Sequence, residues 1–472
     1  MTTDCISEEL TFQALGRRQV VANFDGGTLS TDGGLLLLRE LEARLGLLRG
    51  FSECFTDYRS PLWVEHSVEE LVAQRVLALA AAYEDLNDHD LLNRDPLLAT
   101  AVGKADPTGQ SRRLPQDRGK PLAASATLNR LEWSPEKVSE LSRYRKITVD
   151  HQAVERFFVT TFVRSFSTPP ARLTLDLDTT DDPLHGQQEG RFFHGYYRCY
   201  CYLPLYVFCG THLLCSHLQE ANQDGARHAV AKVEQIIEQL REAWPDVQIL
   251  LRGDSGFARE ELMSWCEAHH VDYIFGLARN RRLESELSGA METVAKRHER
   301  SCRAERIYKE FKYRTQKSWS RERRVIGKAE YLRKGSNPRF VVTSLSRDQI
   351  RPRDLYERIY CARGEMENRI KEQQLYLFAD RTSAHTMRVN QLRLWFSSLA
   401  YTLLNALRRL GLSGTAMAHA RCDTLRLKLI KIAARVQISV RRIVISFASS
   451  CPHQALFASV YARLRRAGPL PA

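Results

Sequence analysis

Long apolar runs are missing from this chain of 472 residues. No run reaches the ~18–20 residues that a membrane-spanning helix requires. The longest candidate, residues 71–83, is interrupted by Gln74 and Arg75 and predicts a buried helix instead. The first ten residues are acidic and lack the basic-then-apolar pattern of a secretory signal. The sequence therefore predicts a protein that stays in the cytoplasm, where it is made, and that has no membrane partner.

Paired cysteine motifs are missing as well. Eleven cysteines are scattered along the chain, and the densest group, in residues 199–215, has no C-x-x-C pair. That group lies in strand-like sequence, where small buried side chains are more typical than zinc ligands. An odd and scattered set of cysteines favours reduced thiols in a cytosol over a disulfide framework.

Acidic residues are too few to balance the basic ones, which leaves a net charge of +13. Residues 300–347 hold fifteen Lys and Arg against four acids, and residues 403–472 hold twelve against one. A solvated surface normally mixes the two signs, so these segments indicate contact with a polyanion, nucleic acid before others. The N-terminal part adds a basic loop at 103–121 and a short helix at 125–131, which together have the size of a small DNA-reading module; an ordinary helical domain with a basic loop is the alternative.

Carboxylates concentrate in residues 173–183, LTLDLDTTDDP. Leucines alternate with polar residues there, which predicts a strand with one apolar face. The strand runs into four acids, Asp176, Asp178, Asp181 and Asp182. A divalent cation would offset their repulsion, because hard cations take carboxylate oxygens. A strand end capped by backbone amides and an arginine is the alternative, and this stretch alone leaves both open.

The segment 171–279 predicts a mixed sheet flanked by helices. Three strands close together in sequence favour an antiparallel meander, and helix, strand, helix and strand follow. The short apolar strand at 247–251 is typical of a sheet centre, and Asp254 comes directly after it. If this strand is the neighbour of the acidic strand, Asp178 and Asp254 emerge at the same edge of the sheet.

A third acid is expected from a long helix at 353–379. Tyr360, Arg363, Glu367 and Gln374 follow one another at steps of three, four and seven, which lie on one helical face. Three carboxylates from two strands and a helix can hold two divalent ions ~3.5–4 Å apart, which clamp the attacking and leaving oxygens of a phosphodiester. Asp176 shares the strand face of Asp178, so the pattern does not exclude it as the first acid.

These motifs resemble those of bacterial DDE transposases with a Y-R-E-K signature. DLDTTDDPLHGQQEG, LLRGDSGFARE, PRFVVTSL and CARGEMENRIKE, in this order, are similar to the thirteen-eighty family of insertion sequences. The resemblance implies an RNase H-like five-stranded core, Mg²⁺- or Mn²⁺-dependent cut-and-paste cleavage and joining at terminal inverted repeats, and a triad of Asp178, Asp254 and Glu367. The final signature position holds Gln374 instead of Lys, so Lys371 is a candidate for the phosphate contact.

The expected organisation follows from this resemblance and from composition. We expect an entry module at 1–59, a helical DNA-binding domain at 60–150, the core in two parts at 151–280 and 351–410, a basic β-rich insertion at 281–350 and a basic tail at 411–472. Double-stranded DNA is the expected partner, held by a homodimer in a synaptic complex at the nucleoid. Trp319 is a candidate for stacking on a displaced base. The residues expected to contact DNA are Arg112, Arg113, Arg130, Trp319, Arg323, Arg324, Lys371 and Gln374.

Three other functions fit parts of the pattern. A nuclease on the same core would share the triad without a joining step. A non-catalytic DNA-binding relative would keep the basic surface, although all three acids are present in this chain. A carboxylate-pair glycosidase would not explain the basic insertion and tail.

Overall fold

The computed structural model of the protein describes residues 9–466. Its strands are β1 (Leu10–Leu15), β2 (Arg18–Ala22), β3 (Leu29–Ser30), β4 (Phe55–Asp57), β5 (Ile147–Val149), β6 (Arg172–Thr179), β7 (Asp182–Pro183), β8 (Phe192–His194), β9 (Cys199–Tyr202), β10 (Leu205–Cys209), β11 (His212–His217), β12 (Gln248–Gly253), β13 (Asp272–Leu277), β14 (Glu305–Tyr313), β15 (Arg323–Leu332), β16 (Gly335–Ser336), β17 (Arg339–Thr343), β18 (Ala434–Ile438) and β19 (Ile443–Phe447).

Helices account for most of the remaining regular structure. They are α1 (Leu35–Leu45), α2 (Leu47–Ser52), α3 (Val68–Ala80), α4 (His89–Leu92), α5 (Pro96–Val102), α6 (Ser125–Glu132), α7 (His151–Val163), α8 (Ala229–Ala243), α9 (Glu260–Ala268), α10 (Arg281–Ser301), α11 (Pro352–Asp354), α12 (Gly364–Leu377), α13 (Met387–Gly411), α14 (Cys422–Leu425) and α15 (Gln454–Arg466). No helix in residues 9–466 is both long enough and apolar enough to span a membrane.

The chain forms two compact units. Among the described residues, the first unit takes 9–49, 59–131 and 406–466, and the second takes 50–58 and 132–405. Each unit is built from segments that are far apart in sequence.

The first unit is mainly helical. Helix α3 begins with a capping box between Ser67 and Glu70, and its residues 71–80 are buried. Residues 71–80 of the apolar segment at 71–83 therefore form a core helix, as the Gln and Arg within it indicated. Gln74 uses its amide inside this core, where it hydrogen-bonds the His89 ring at 2.9 Å and the Ala123 backbone. The alternation of apolar and basic residues at 424–448 is compatible with either a strand or short helices. In the structure this segment forms a π-helical turn at Arg426–Ile430 and then the antiparallel pair β18–β19.

The second unit contains the main sheet, with strand order β11-β10-β6-β12-β13-β17-β15-β14 and with β16 paired to β15. Strands β6, β12 and β13 are parallel, whereas β10, β11 and β17 run antiparallel to their neighbours. The prediction of a mixed sheet with helices is confirmed.

This sheet is larger than the five strands that we expected. It contains nine strands in the described part of the chain, because β14 to β17, from the predicted insertion, continue it beyond β13. Strand β17 pairs with β13 from Ile274 opposite Thr343 to Leu277 opposite Phe340. The pairing satisfies the backbone groups that an exposed edge at β13 would leave open. The strands of the predicted insertion therefore continue the sheet of the core.

The alternation in β6 divides the sheet into two faces, as its sequence indicated. Leu173, Leu175 and Leu177 are buried in a core that includes Val233 and Ile237 of α8. The opposite face carries Asp176 and Asp178, with Phe208 and Tyr206 opposite them on β10. Helix α13 covers part of this second face, where the Phe208 and Tyr401 rings lie 5.9 Å apart.

Candidate active site

Asp178 and Asp254 lie at the same edge of the main sheet. Strands β6 and β12 are parallel neighbours, and Leu177 is the register partner of Gly253. The next residue on each strand is an aspartate, so the two carboxylates leave the carboxyl ends of adjacent parallel strands. Neighbouring strands are ~4.8 Å apart, which places the two backbones within reach of a shared ligand.

Asp254 also shapes the turn that follows its strand. Its Oδ1 accepts a hydrogen bond of 2.8 Å from the Gly256 amide and caps the 3-10 turn Ser255–Phe257. Gly276 on β13 allows this turn to lie close, because a Cβ there would be 2.9 Å from the Ser255 nitrogen and 2.6 Å from the Tyr360 hydroxyl. The Tyr360 hydroxyl is therefore held over β13 beside the Asp254 turn.

Arg363 joins two of the three predicted acids. Its guanidinium donates to Asp178 Oδ2 at 3.1 Å and to Glu367 Oε1 at 3.2 Å. The Asp178 side chain is 13% exposed, whereas that of Glu367 is 48% exposed and faces solvent. The structure thus joins Asp178 and Glu367 through the Arg363 guanidinium, and Asp254 lies at the end of the strand next to that of Asp178.

The carboxylates repel one another. Burial, opposed by the charge of Arg363 and assisted by the charges of Asp254 and Glu367, raises the pKa of Asp178 to about 6. Burial also raises the pKa of Tyr360, which keeps its hydroxyl a hydrogen-bond donor. A site that concentrates negative charge in this way favours a cation.

Asp176 is engaged elsewhere. Its Oδ2 accepts a hydrogen bond of 2.7 Å from Arg252, which also donates to Asp176 Oδ1 and to the Ile359 carbonyl. The two side chains are only 5% and 10% exposed. The arginine-capped alternative that the acidic stretch left open therefore describes Asp176.

Asp182 and Gln374 form a second buried contact. Gln374 Nε2 donates to Asp182 Oδ1 at 2.9 Å and to the Asp181 carbonyl at 3.0 Å. Asp182 is fully buried, and this burial raises its pKa well above the usual range. Gln374 thus ties α12 to the segment after β6, and its expected contact with DNA stays a prediction.

The signature segment is not the regular helix that we predicted for 353–379. It consists of α11, a π-helical stretch Leu355–Tyr360, a 3-10 turn Cys361–Arg363 and α12. Arg363 and Glu367 still meet at a separation of four residues. The sequence spacing that placed Tyr360 on the same face as Arg363 and Glu367 assumed a uniform helix. In the structure, irregular turns lie between Tyr360 and α12, and the Tyr360 hydroxyl lies next to Gly276.

The residues present fit a divalent metal in their chemistry, although an arginine side chain now lies between two of the acids. Carboxylate oxygens are the ligands of Mg²⁺ and Mn²⁺. Within residues 9–466, however, no three His, Cys, Asp or Glu side chains are gathered closely enough to hold an ion. Arg363 occupies the space between Asp178 and Glu367, so an ion shared by both carboxylates requires the guanidinium to move.

Three of the expected DNA contacts are at the surface. Arg113 lies in the loop at 103–121 with its guanidinium 3.6 Å from the centre of the Trp63 ring, and Arg130 is exposed on α6. Lys371 is exposed on α12. Their contact with DNA remains a prediction.

The other basic candidates are held by ion pairs. Arg112 pairs with Glu65 at 2.7 Å, and Arg324 pairs with Glu310 at 2.8 Å. Both of these arginine side chains are mostly buried. The structure gives them a role in packing rather than at an open surface.

Trp319 and Arg323 form part of the packing of the segment 281–350. Arg323 is buried between Glu260 at 2.6 Å and Glu267 at 2.7 Å, and its guanidinium lies over the Trp319 ring. Trp319 is only 6% exposed and packs edge-on against Tyr313. The expectation that Trp319 stacks on a displaced base is therefore not supported, because its ring is already covered by Tyr313 and Arg323. The polar residues around Trp319 in the sequence gave no indication of this burial.

Sequence reasoning missed Arg252 and Gly276. An arginine inside the apolar strand at 247–253 needs a buried partner, and a glycine inside a strand signals close approach of another group. Both signals were present in the sequence. Their partners, Asp176 and Tyr360, are far away in the chain and were not evident from it.

Comparisons with known proteins complete the description of the site. A family model described as "Transposase DDE domain group 1" matches residues 12–469. No curated protein matches the chain. Among solved structures, it is similar to one titled "Cryo-EM structure of piggyBac transposase synaptic complex with hairpin DNA", with 11% sequence identity and a TM-score of 0.38 over 84% of this chain and 79% of that chain. A likeness at that level supports no inference about individual residues.

Proposed function

The chain belongs to the family Transposase DDE domain group 1, and from this membership we propose that it is a DNA transposase. The proposed substrate is double-stranded DNA that ends in the terminal inverted repeats of an insertion sequence of the thirteen-eighty, Y-R-E-K type. The proposed reaction is cut-and-paste: hydrolysis of a phosphodiester at each end, followed by transesterification into target DNA. We further propose that two copies act together on paired ends, at the nucleoid of a bacterial cytoplasm.

One observation carries the proposed site, the placement of Asp178 and Asp254 at the ends of adjacent parallel strands, with Glu367 linked to Asp178 through Arg363. The five strands β11-β10-β6-β12-β13 have β6 at their centre, and β10 is the one strand among them that runs antiparallel to β6. This arrangement supports an RNase H-like core. On this basis we assign the catalytic triad to Asp178, Asp254 and Glu367.

Asp178 is the better candidate for the first acid. It lies at the strand end, and its only ion-pair partner among the described residues, Arg363, belongs to the same site. Asp176 lies two residues earlier, where a buried arginine takes both of its oxygens. Asp178 also accepts two hydrogen bonds, from Arg363 and from the Thr179 amide at 3.0 Å, but Arg363 belongs to the candidate site, whereas the arginine that holds Asp176 is buried away from it.

Asp178, Asp254 and Glu367 would hold the two divalent ions. When bound, Mg²⁺ or Mn²⁺ would stabilise the charge on phosphorus and on the attacking and leaving oxygens. Arg363, once released from the two carboxylates, would hold phosphate oxygens of the DNA strand that is cut, since a guanidinium group can donate two parallel hydrogen bonds to a phosphate. The Tyr360 hydroxyl would donate to a neighbouring oxygen of the DNA backbone.

Recognition of the repeats is assigned to residues 60–150, where Arg113 and Arg130 are exposed. Phosphate contacts position a protein on a duplex without reading its sequence. Their removal should weaken binding to all sequences alike and should reduce its dependence on salt.

The variant Asp254→Ala tests the site. With a supercoiled plasmid that carries both ends of the element and a separate target, we expect cleavage and joining to fall at least a thousandfold, while duplex binding changes less than about twofold. Asp246→Ala is the matched control, because Asp246 is an exposed carboxylate just before the same strand. Unchanged cleavage by Asp254→Ala would rule out this site. Ends that are cut by the unmodified protein but never joined would indicate a nuclease.

A further inference from the structure

An aromatic hairpin lies next to the candidate site. Strands β8 and β9 pair with each other, and β9 also pairs with β7, with Tyr202 opposite Asp182 and Cys201 opposite Pro183. Strand β7 begins four residues after Asp178. The Leu184 amide adds a hydrogen bond of 2.8 Å to the Tyr200 carbonyl. The hairpin is thus fixed to the same chain segment that presents the first acid.

The two faces of the hairpin differ. One face is partly covered, since Cys201 is fully buried against Leu203 and Ala221, although its register partner Phe192 is 38% exposed. The other face carries Phe193 and Tyr200, which are register partners and remain 57% and 42% exposed. Their rings meet edge-on with centres 5.5 Å apart.

Positive charge accompanies these rings. The Arg191 guanidinium lies 3.6 Å from the centre of the Tyr200 ring. The turn between the strands contains Tyr196, which is 83% exposed, and Arg198. The acid near the start of the hairpin, Glu189, is turned toward the Met387 amide, which donates to its carboxylate at 3.2 Å. The open face is therefore aromatic and basic.

Unpaired nucleobases of DNA match this surface better than an apolar protein partner does. Bases stack on exposed aromatic rings regardless of sequence, and an arginine held on a ring can stack on a base or contact a phosphate. Several exposed rings that lie together mark an interaction site, and the arginines beside them favour a partner that carries negative charge. A duplex would offer its phosphates but not its stacked bases.

We propose that the open face of the β8–β9 hairpin stacks unpaired bases of the DNA strand that enters the active site. The inference rests on the proposed function, because it takes DNA to be the substrate. It places base stacking, which the sequence had suggested for Trp319, on Phe193, Tyr200 and Tyr196.

The neighbouring Tyr197 agrees with this location. Burial raises its pKa, and the carboxylates of Asp181, Asp178 and Asp254 raise it further, in that order. The turn of the hairpin is therefore within electrostatic range of both strand-end acids.

The test uses DNA of arbitrary sequence. One probe is a duplex with an unpaired tail of four nucleotides that contains 2-aminopurine, whose fluorescence falls on stacking, and the other is the same duplex with blunt ends. We expect the unmodified protein to quench the tail and to bind the tailed probe about tenfold or more tightly than the blunt one, as expected for one or two stacked bases. The double variant Phe193→Ala/Tyr200→Ala should lose both effects and should bind the blunt duplex normally.

Three further variants make the result decisive. Tyr200→Trp should keep the tail preference because it keeps a ring. Tyr58→Ala is the matched control, since Tyr58 is 46% exposed, much as Tyr200 is, and lies outside the segment assigned to DNA recognition, and it should change nothing. Tyr196→Ala removes a ring at the exposed turn and should weaken quenching even if the double variant proves unstable.

Full quenching and unchanged tail preference in both the double variant and Tyr196→Ala would overturn the proposal. Loss of self-association by the variants, with tail binding intact, would assign the face to a second copy of the chain and would also overturn it. The proposed function is tested separately: Asp254→Ala should lose cleavage but still quench the tail. Retained cleavage in that variant would refute the triad without affecting the hairpin.

Discussion

Replacement of the two strand acids by asparagine should change stability in opposite directions. Asp176→Asn removes the charge that neutralises Arg252, whereas Asp178→Asn removes a carboxylate that repels Asp254 and Glu367. Asparagine keeps the size of each side chain. The comparison therefore isolates the two charges, which lie two residues apart on one face of β6.

The magnitudes follow from the surroundings of each acid. Arg252 is 10% exposed and cannot lose its proton, so it would remain as a buried cation without a counter-charge, at a loss of roughly 3–5 kcal/mol in the free energy of unfolding. For Asp178, a pKa of about 6 against 3.8 in an unfolded chain means that ionisation at pH 7.5 costs the folded state up to about 3 kcal/mol. Asp178→Asn should recover part of this free energy, and Arg363 would still be paired with Glu367.

The pH dependence gives a further check. Because the pKa of Asp178 is raised in the folded state, the folded protein binds a proton at this carboxyl more tightly than the unfolded chain does. The free energy of unfolding therefore decreases as the pH rises from about 4 through 6. The gain from Asp178→Asn should be largest above pH 6 and should vanish near pH 4.

Urea unfolding in the presence of EDTA measures both effects without bound metal. The unmodified protein and the two variants are compared at pH 7.5 and, where solubility allows, near pH 5. A loss of stability in Asp178→Asn at pH 7.5, similar in size to that of Asp176→Asn, would refute this assignment of charges. Cleavage should be lost in Asp178→Asn even though its fold is stabilised.

Two other predictions concern packing and pH. Gly276→Ala should lower the free energy of unfolding by roughly 1–3 kcal/mol and impair cleavage, because its Cβ would lie 2.6 Å from the Tyr360 hydroxyl and 2.9 Å from the Ser255 nitrogen. The control Gly289→Ala, on the open surface of a helix, should be neutral or stabilising by up to ~1 kcal/mol. Equal thermal unfolding temperatures for the two variants would contradict the predicted clash at Gly276. Burial lowers the pKa of the fully buried His89 to about 3, so the folded state binds fewer protons than the unfolded state below about pH 6.5. Unfolding free energy should therefore fall by about 2 kcal/mol from this group between pH 7 and 5, and His89→Asn, measured in urea at both pH values, should lose that part of the slope.

Local patterns were enough to predict much of the second unit. The alternation in residues 173–178 gave the correct apolar face of β6, and the short apolar run before Asp254 gave the correct central strand. These predictions succeeded because strand period and burial depend on neighbours along the chain. The extension of the sheet by β14 to β17 was not predicted, since strand content alone does not say which edge a strand joins.

The candidate site divides in the same way. The sequence by itself named the residues to which we assign the chemistry, from the strand ends, from a glutamate four residues after an arginine, and from the family resemblance of these motifs. Only the tertiary structure decided that Arg252 takes Asp176, that Arg363 bridges Asp178 and Glu367, and that Trp319 is buried while Phe193 and Tyr200 are open. The reason is physical: the partners in these two ion pairs are 76 and 185 residues apart, and the energy of a charge or a ring depends on what surrounds it in space.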